Sequence, residues 1–194
     1  MNEDKIINSY DMQPIGYATG ANPYLSIGLS TSTEYKGFSL FMNFAGATMQ
    51  TFISNDELKM PFAGNSNGNS PVWLLEDRWH RADPFDPNSE WIPGTYPPTR
   101  KNLSSHSNFS RTNDFYLTNV KYFRMTNLEI GYTYPLKFIK SGTGSTVRIF
   151  TNISNLFSID NVRKKLQIDP EITNTGGRAY PQTRVINFGL DLSL

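Results

Sequence analysis

The sequence contains no cysteine and only two histidines among its 194 residues. The first absence excludes disulfide frameworks and thiolate zinc sites. An excess of either charge is also missing, since 18 Lys and Arg stand against 17 Asp and Glu for a formal net charge of +1. Such balance leaves no electrostatic footprint for nucleic acid. The longest basic run, Arg163-Lys164-Lys165, reads as a solvated charge cluster in a loop. No apolar stretch approaches the roughly 20 residues that a transmembrane helix requires. The mean hydropathy is negative, at −0.45. That value is compatible with a membrane barrel, in which only every second strand residue faces lipid. The opening "MNEDKIINSYD" carries no signal-peptide pattern, so an exported protein would need further sequence upstream.

What the chain does contain is aromatic side chains and alternation. There are 13 Phe, 10 Tyr and 3 Trp. Leu25, Ile27 and Leu29 oppose Ser26, Gly28 and Ser30. Phe38, Leu40, Met42 and Phe44 oppose Ser39, Asn43 and Ala45, with Phe41 as a large exception. Leu128, Ile130, Tyr132 and Tyr134 oppose Asn127, Glu129, Gly131 and Thr133. Val147, Ile149 and Ile153 oppose Arg148, Asn152 and Ser154. Finally, Ile186, Phe188, Leu190, Leu192 and Leu194 oppose Asn187, Gly189, Asp191 and Ser193. A period of two means strands with unlike surroundings on their two sides. Each run spans about 10 to 13 residues, longer than a usual globular strand and long enough for a tilted transmembrane one.

The connections alternate between short and long. Tyr35-Lys36-Gly37 makes a tight turn, and "PLKFIKSGTG" is a short link. The segment 51–119 and the stretch Ser158–Gln182 are long. Barrels of the outer membrane have short periplasmic turns and long extracellular loops. With Tyr35–Gly37 on the periplasmic side, the five strands run alternately and the chain ends in the periplasm. Phe38, Tyr132 and Tyr134 then fall at the periplasmic ends, where an aromatic girdle belongs. Arg148 faces the lumen, whereas strict alternation places Arg124 on the lipid side, near the outer end of its strand.

The fold class expected is therefore all-β: antiparallel strands forming part of a large transmembrane barrel, with long extracellular loops. In the long loop, Trp73, Trp79, Trp91 and Tyr96 are the candidate contacts for a substrate or partner. Aromatic faces suit sugar rings and protein surfaces, although large aromatics under long loops also pack among themselves. His80, Asp83 and Asp86 match no compact metal-ligand spacing. No nucleophile–base arrangement emerges, so neither an enzyme nor a cofactor or metal site is expected.

These residues carry a family resemblance. The stretches "NPYLSIGLSTSTEYKGFSLFMNFAGA", "NDFYLTNVKYFRMTNLEIGYTYP" and "VRIFTNISNLF" resemble, in order, strands near the end of SusC/RagA-type TonB-linked outer-membrane proteins of the Bacteroidota. "DPE" at Asp169–Glu171, "YP" at Tyr180-Pro181 and the terminal "FGLDLSL" continue the likeness. The resemblance implies that residues 1–194 form the C-terminal segment of a plugged barrel of about 22 strands. Within it, 51–119 would be an extracellular loop, with plug and N-terminal barrel absent. It further implies import of oligosaccharides or peptides with a SusD-like surface lipoprotein, and contact with the TonB complex through the missing N-terminal region. Outer-membrane lipid and the barrel assembly machinery are the other implied partners. That machinery would read Asn187, Gly189, Leu192 and Leu194, the last in place of the usual Phe. The alternative is a soluble β-sandwich binding module, with carbohydrate as its ligand, in which the same alternation packs two sheets face to face.

Overall fold

The computed structural model describes residues 9–17, 22–62, 68–99, 107–136, 144–172, 178–180 and 182–193. Leu194 and the link 137–143 lie outside the described residues. The chain divides into two compact units, one comprising 1–20 and 50–119, the other 21–49 and 120–194. In chain order the strands are β1 (Leu25–Tyr35), β2 (Phe38–Ile53), β3 (His80–Arg81), β4 (Trp91–Ile92), β5 (Leu117–Pro135), β6 (Thr146–Asp160) and β7 (Val185–Ser193). Short helices α1 (Val72–Glu76), α2 (Ser107–Ser110) and α3 (Val162–Leu166) lie in the long connections.

Five long strands form one sheet in the order β1-β2-β5-β6-β7, and β3 and β4 form a separate ladder. The β1–β2 hairpin closes on Lys36 and Gly37, both at positive φ (47° and 87°). Such a two-residue turn matches the right-handed twist of the strands it joins. Gly37 O accepts the amide of Thr133 at 2.8 Å, which aligns that hairpin end with the C-terminal end of β5. β2 and β5 run 16 and 19 residues, so both extend into the segment 51–119 and shorten the loop expected there to 54–116. The boundary between the units falls inside β2, next to Met49, which takes φ 61° within the strand.

Register sorts the side chains onto two faces. Leu25, Ile27 and Leu29 sit opposite Thr48, Gly46 and Phe44, while Ser26, Gly28 and Ser30 sit opposite Ala47, Ala45 and Asn43. Across β5, β6 and β7 the rows Tyr132–Ile149–Leu190 and Leu128–Ile153–Ile186 share the apolar face. The rows Thr133–Arg148–Asp191 and Glu129–Asn152–Asn187 share the polar one. Phe38 and Tyr132 meet with ring centroids 4.5 Å apart at the hairpin end of the sheet, the place expected for the girdle.

Arg124 departs from strict alternation. The Phe123 ring stacks on Phe44 at 5.4 Å, which puts Phe123 on the apolar face. Leu128 is on that face too, five positions later, so the alternation skips once between them. The β5–β6 register shifts between Met125 and Asn127, and Asn155 opposite adopts φ 55°. Two residues of β6, Asn155 and Leu156, thus stand against Thr126 alone, a bulge at which the strands change register by one and the alternation of β5 skips. Arg124 is therefore on the polar side, paired with Ser158, and is only 2 % exposed.

Candidate functional site: an uncovered apolar face and an aromatic loop

Among the described residues, much of the apolar face of the sheet is exposed. Leu29, Phe38, Ile149, Ile186 and Leu190 are exposed, and Phe188 reaches 85 %. Burying one such side chain is worth about 1.5–3 kcal/mol, so a face of this kind needs an apolar environment. A sandwich would supply one with a second sheet. Among the described residues the other sheet is the two-residue ladder of β3 and β4.

The opposite face is ordered by charge. Arg148 donates to Glu129 of the Asn152 row at 2.5 Å and lies 3.5 Å from Asp191 of its own row, which joins β5, β6 and β7. Asn152 also donates to Glu129, at 3.3 Å. The guanidinium of Arg148 rests 4.7 Å above the Phe150 ring, and that ring occupies the space where a Cβ of Gly189 would stand. Gly189, expected only as part of the tail signal, therefore has a packing reason: it leaves room for Phe150 on the neighbouring strand. Asn187 and Leu192 stand in register on β7, opposite Asn152 and Val147.

At the other end of the sheet, the stretch after β6 is clamped down. Arg124 donates to Asp169 at 2.5 Å, to Glu171 at 3.0 Å and to Gln182. Arg163 lies 3.6 Å from Asp169 and 3.9 Å from Asp160. Val162 and Leu166 of α3 are buried beneath. Buried charges persist only when paired and hydrogen-bonded, and here every member of the group has a partner. Sequence reasoning registered Asp169–Glu171 as a motif but missed its role. The one usable signal was an arginine at an otherwise apolar strand position.

The long loop folds around its aromatics. Trp73 and Tyr96 meet at 5.2 Å, Tyr96 and Phe115 at 5.7 Å, and Phe115 and Tyr116 at 5.0 Å. Phe109 packs beyond Tyr116 at 6.5 Å. Tyr96 is tied to Asp77 and Trp79 by backbone hydrogen bonds of 2.9 and 2.8 Å. Gly94 permits that approach, because a Cβ there would strike the Arg78 carbonyl group. The hydroxyl of Thr95, and after it the Thr95 amide, stabilise the Asp77 carboxylate and hold its pKa below the usual range. Burial drives the Tyr116 phenol up to about 12, and its hydroxyl has no hydrogen-bond partner among the described residues.

The four aromatic candidates thus separate. Trp73 and Tyr96 belong to the packing of the loop, whereas Trp79 and Trp91 are 43 % and 45 % exposed. Trp91 is held by the ladder opposite Arg81, whose guanidinium lies 4.4 Å over its ring. Asp83 and Asp86 accept the amides of Phe85 and Asn88 at 2.9 and 2.8 Å, closing the turn between β3 and β4. The His80 ring nitrogen Nδ1 lies 2.8 Å from the Arg78 carbonyl. No group of acidic and histidine side chains suited to a metal ion occurs among the described residues.

Comparison with known proteins gives a fold and not a family. No family model matches the sequence, and no curated protein matches it. Among solved structures, the chain is similar to the RagAB peptide importer in its open-open state, with a TM-score of 0.57 and 24 % identity over 89 % of this chain. It is likewise similar to the closed-closed state, with a TM-score of 0.55 and 23 % identity over 90 % of this chain. A third structure, the RagAB peptide transporter, gives a TM-score of 0.52 and 22 % identity over 86 %. The chain spans 16–18 % of the length of these three chains. The likeness shows a shared antiparallel sheet.

Proposed function

We propose that this chain is the C-terminal wall of an outer-membrane barrel, a piece of a TonB-dependent importer for peptides or oligosaccharides. A SusD-like surface lipoprotein is its partner on the side of the long loops, and the TonB complex engages a region outside this sequence. The role is transport and not catalysis. The observation that carries the reading is the uncovered apolar face, aligned in register across strands long enough to span a bilayer. Outer-facing apolar and inner-facing polar residues alternate in such walls, and the Arg148–Glu129–Asp191 ion-pair group supplies the inner side. The structural likeness to RagAB supports the same reading at the level of fold. Trp79 and Trp91 are the loop residues offered to substrate or lipoprotein.

The test is protease treatment of fractionated cells producing the full-length protein. Protease added to intact cells should cut within 54–116 and spare the turn at Lys36-Gly37. Cleavage at that turn with the long loop protected would reverse the orientation. Recovery of the protein as a monodisperse, detergent-free monomer would overturn the membrane reading altogether.

A further inference from the structure

A shallow groove of about 480 Å³ opens where the apolar face ends, away from the β1–β2 hairpin. Ile27, Phe123 and Ile159 line it together with Lys121 and Lys164. Register brings these together: Phe123 pairs with Ile159 across β5 and β6, and Phe123 stacks beside Gly46, the partner of Ile27. Asn161 accepts the amide of Lys121 at 2.9 Å, which sets the start of α3, and with it Lys164, next to this strand. Both lysines are exposed, and among the described residues neither has a carboxylate within ion-pair distance. The one acid in the groove, Asp160, is buried and already engaged, with the Arg163 guanidinium 3.9 Å away. Its oxygens accept from the Arg163 amide at 2.6 Å and from the Ser158 hydroxyl at 2.9 Å.

Height along the sheet decides what such a groove meets. Tyr132 and Phe123 are nine positions apart in β5, about 23 Å along the membrane normal for a strand tilted by about 40°. The apolar band of an outer-membrane barrel is about 25 Å tall. With Tyr132 in one girdle, Phe123 lies at the opposite interface, and Lys121, about 5 Å higher on the same geometry, lies among headgroups. The basic run containing Lys164 reaches that level through the fold and not through the strand pattern.

We propose that this groove holds a phosphate-bearing membrane lipid, with one acyl chain along Ile27, Phe123 and Ile159 and the phosphate between Lys121 and Lys164. The site rests on the barrel reading above and adds an annular lipid to it. Two lysines at a headgroup phosphate are worth about thirty-fold in affinity.

The test uses the full-length protein in detergent, titrated with phosphatidylglycerol and with phosphatidylcholine and read by native mass spectrometry. The wild type should retain phosphatidylglycerol preferentially. Lys121→Gln with Lys164→Gln should bring the two lipids within about three-fold of each other, and Lys121→Arg with Lys164→Arg should restore the preference. Equal retention of both lipids by the wild type overturns the inference, as does a preference that survives the double glutamine variant. Either result, from protein that is membrane-inserted, leaves the barrel reading standing. Protein that never enters micelles or membranes sinks the barrel reading instead, and this inference with it.

Discussion

Replacing Arg124 by methionine removes the cation that holds Asp169, Glu171 and Gln182 against the sheet. Asp169 is left 2 % exposed, with Arg163 at 3.6 Å as its remaining cation and its other oxygen on the Glu171 amide at 2.9 Å. Deleting one partner of a buried pair costs about 3–5 kcal/mol. The Glu171 contact adds little, because its carboxylate is 33 % exposed and pairs in water are worth about 0–1 kcal/mol. Arg163 screens part of the stranded charge, which places the expected loss near about 3 kcal/mol. That energy belongs to local opening of 161–172, so the assay is hydrogen exchange over that segment in detergent-solubilised full-length protein. Exchange should accelerate about a hundred-fold or more. A second variant separates charge from packing. Arg124→Met combined with Asp169→Leu leaves no buried charge between the two and should recover most of the protection. Exchange in the single variant within a few-fold of wild type would refute the assignment of Arg124 as the clamp.

Two further outcomes follow from the geometry. Gly189→Val should lower the yield of inserted full-length barrel, with an overpacking cost of about 1–3 kcal/mol against Phe150, and Phe150→Ala should restore it in the double variant; absence of rescue would assign the defect to the tail signal alone. Tyr116 ionises near 10 in an unfolded chain but at about 12 in the folded loop, so the stability of the loop should hold below pH 10 and fall as pH rises from 10 to 12, by about 2–3 kcal/mol. Burial lowers the pKa of Lys59, whose Nζ lies 5.0 Å from the Tyr116 ring. Its effect has the opposite sign, and Tyr116→Phe isolates the phenol: alkaline loss of protease resistance should be smaller in that variant, and an identical profile would count against the phenol.

The sequence by itself determined the five long strands in outline, the hairpin turn and the alternation of short and long connections. These are local properties: a side-chain period of two is set by the pleat, and Lys36-Gly37 takes positive φ within the turn itself. It also marked which side chains share the apolar face wherever the register is regular, as the rows through Leu29, Tyr132 and Leu190 show. Only the tertiary structure placed Arg124, because a one-residue change of register reverses every face beyond it, and a periodic pattern carries no mark of where that change falls. It alone separated Trp73 and Tyr96, packed inside the loop, from the exposed Trp79 and Trp91. It alone gave Gly189 its reason in Phe150, a side chain 39 positions earlier. Each of these turns on a partner distant in the chain, and contact between distant residues is settled by pairing and packing, not by the residues' own preferences.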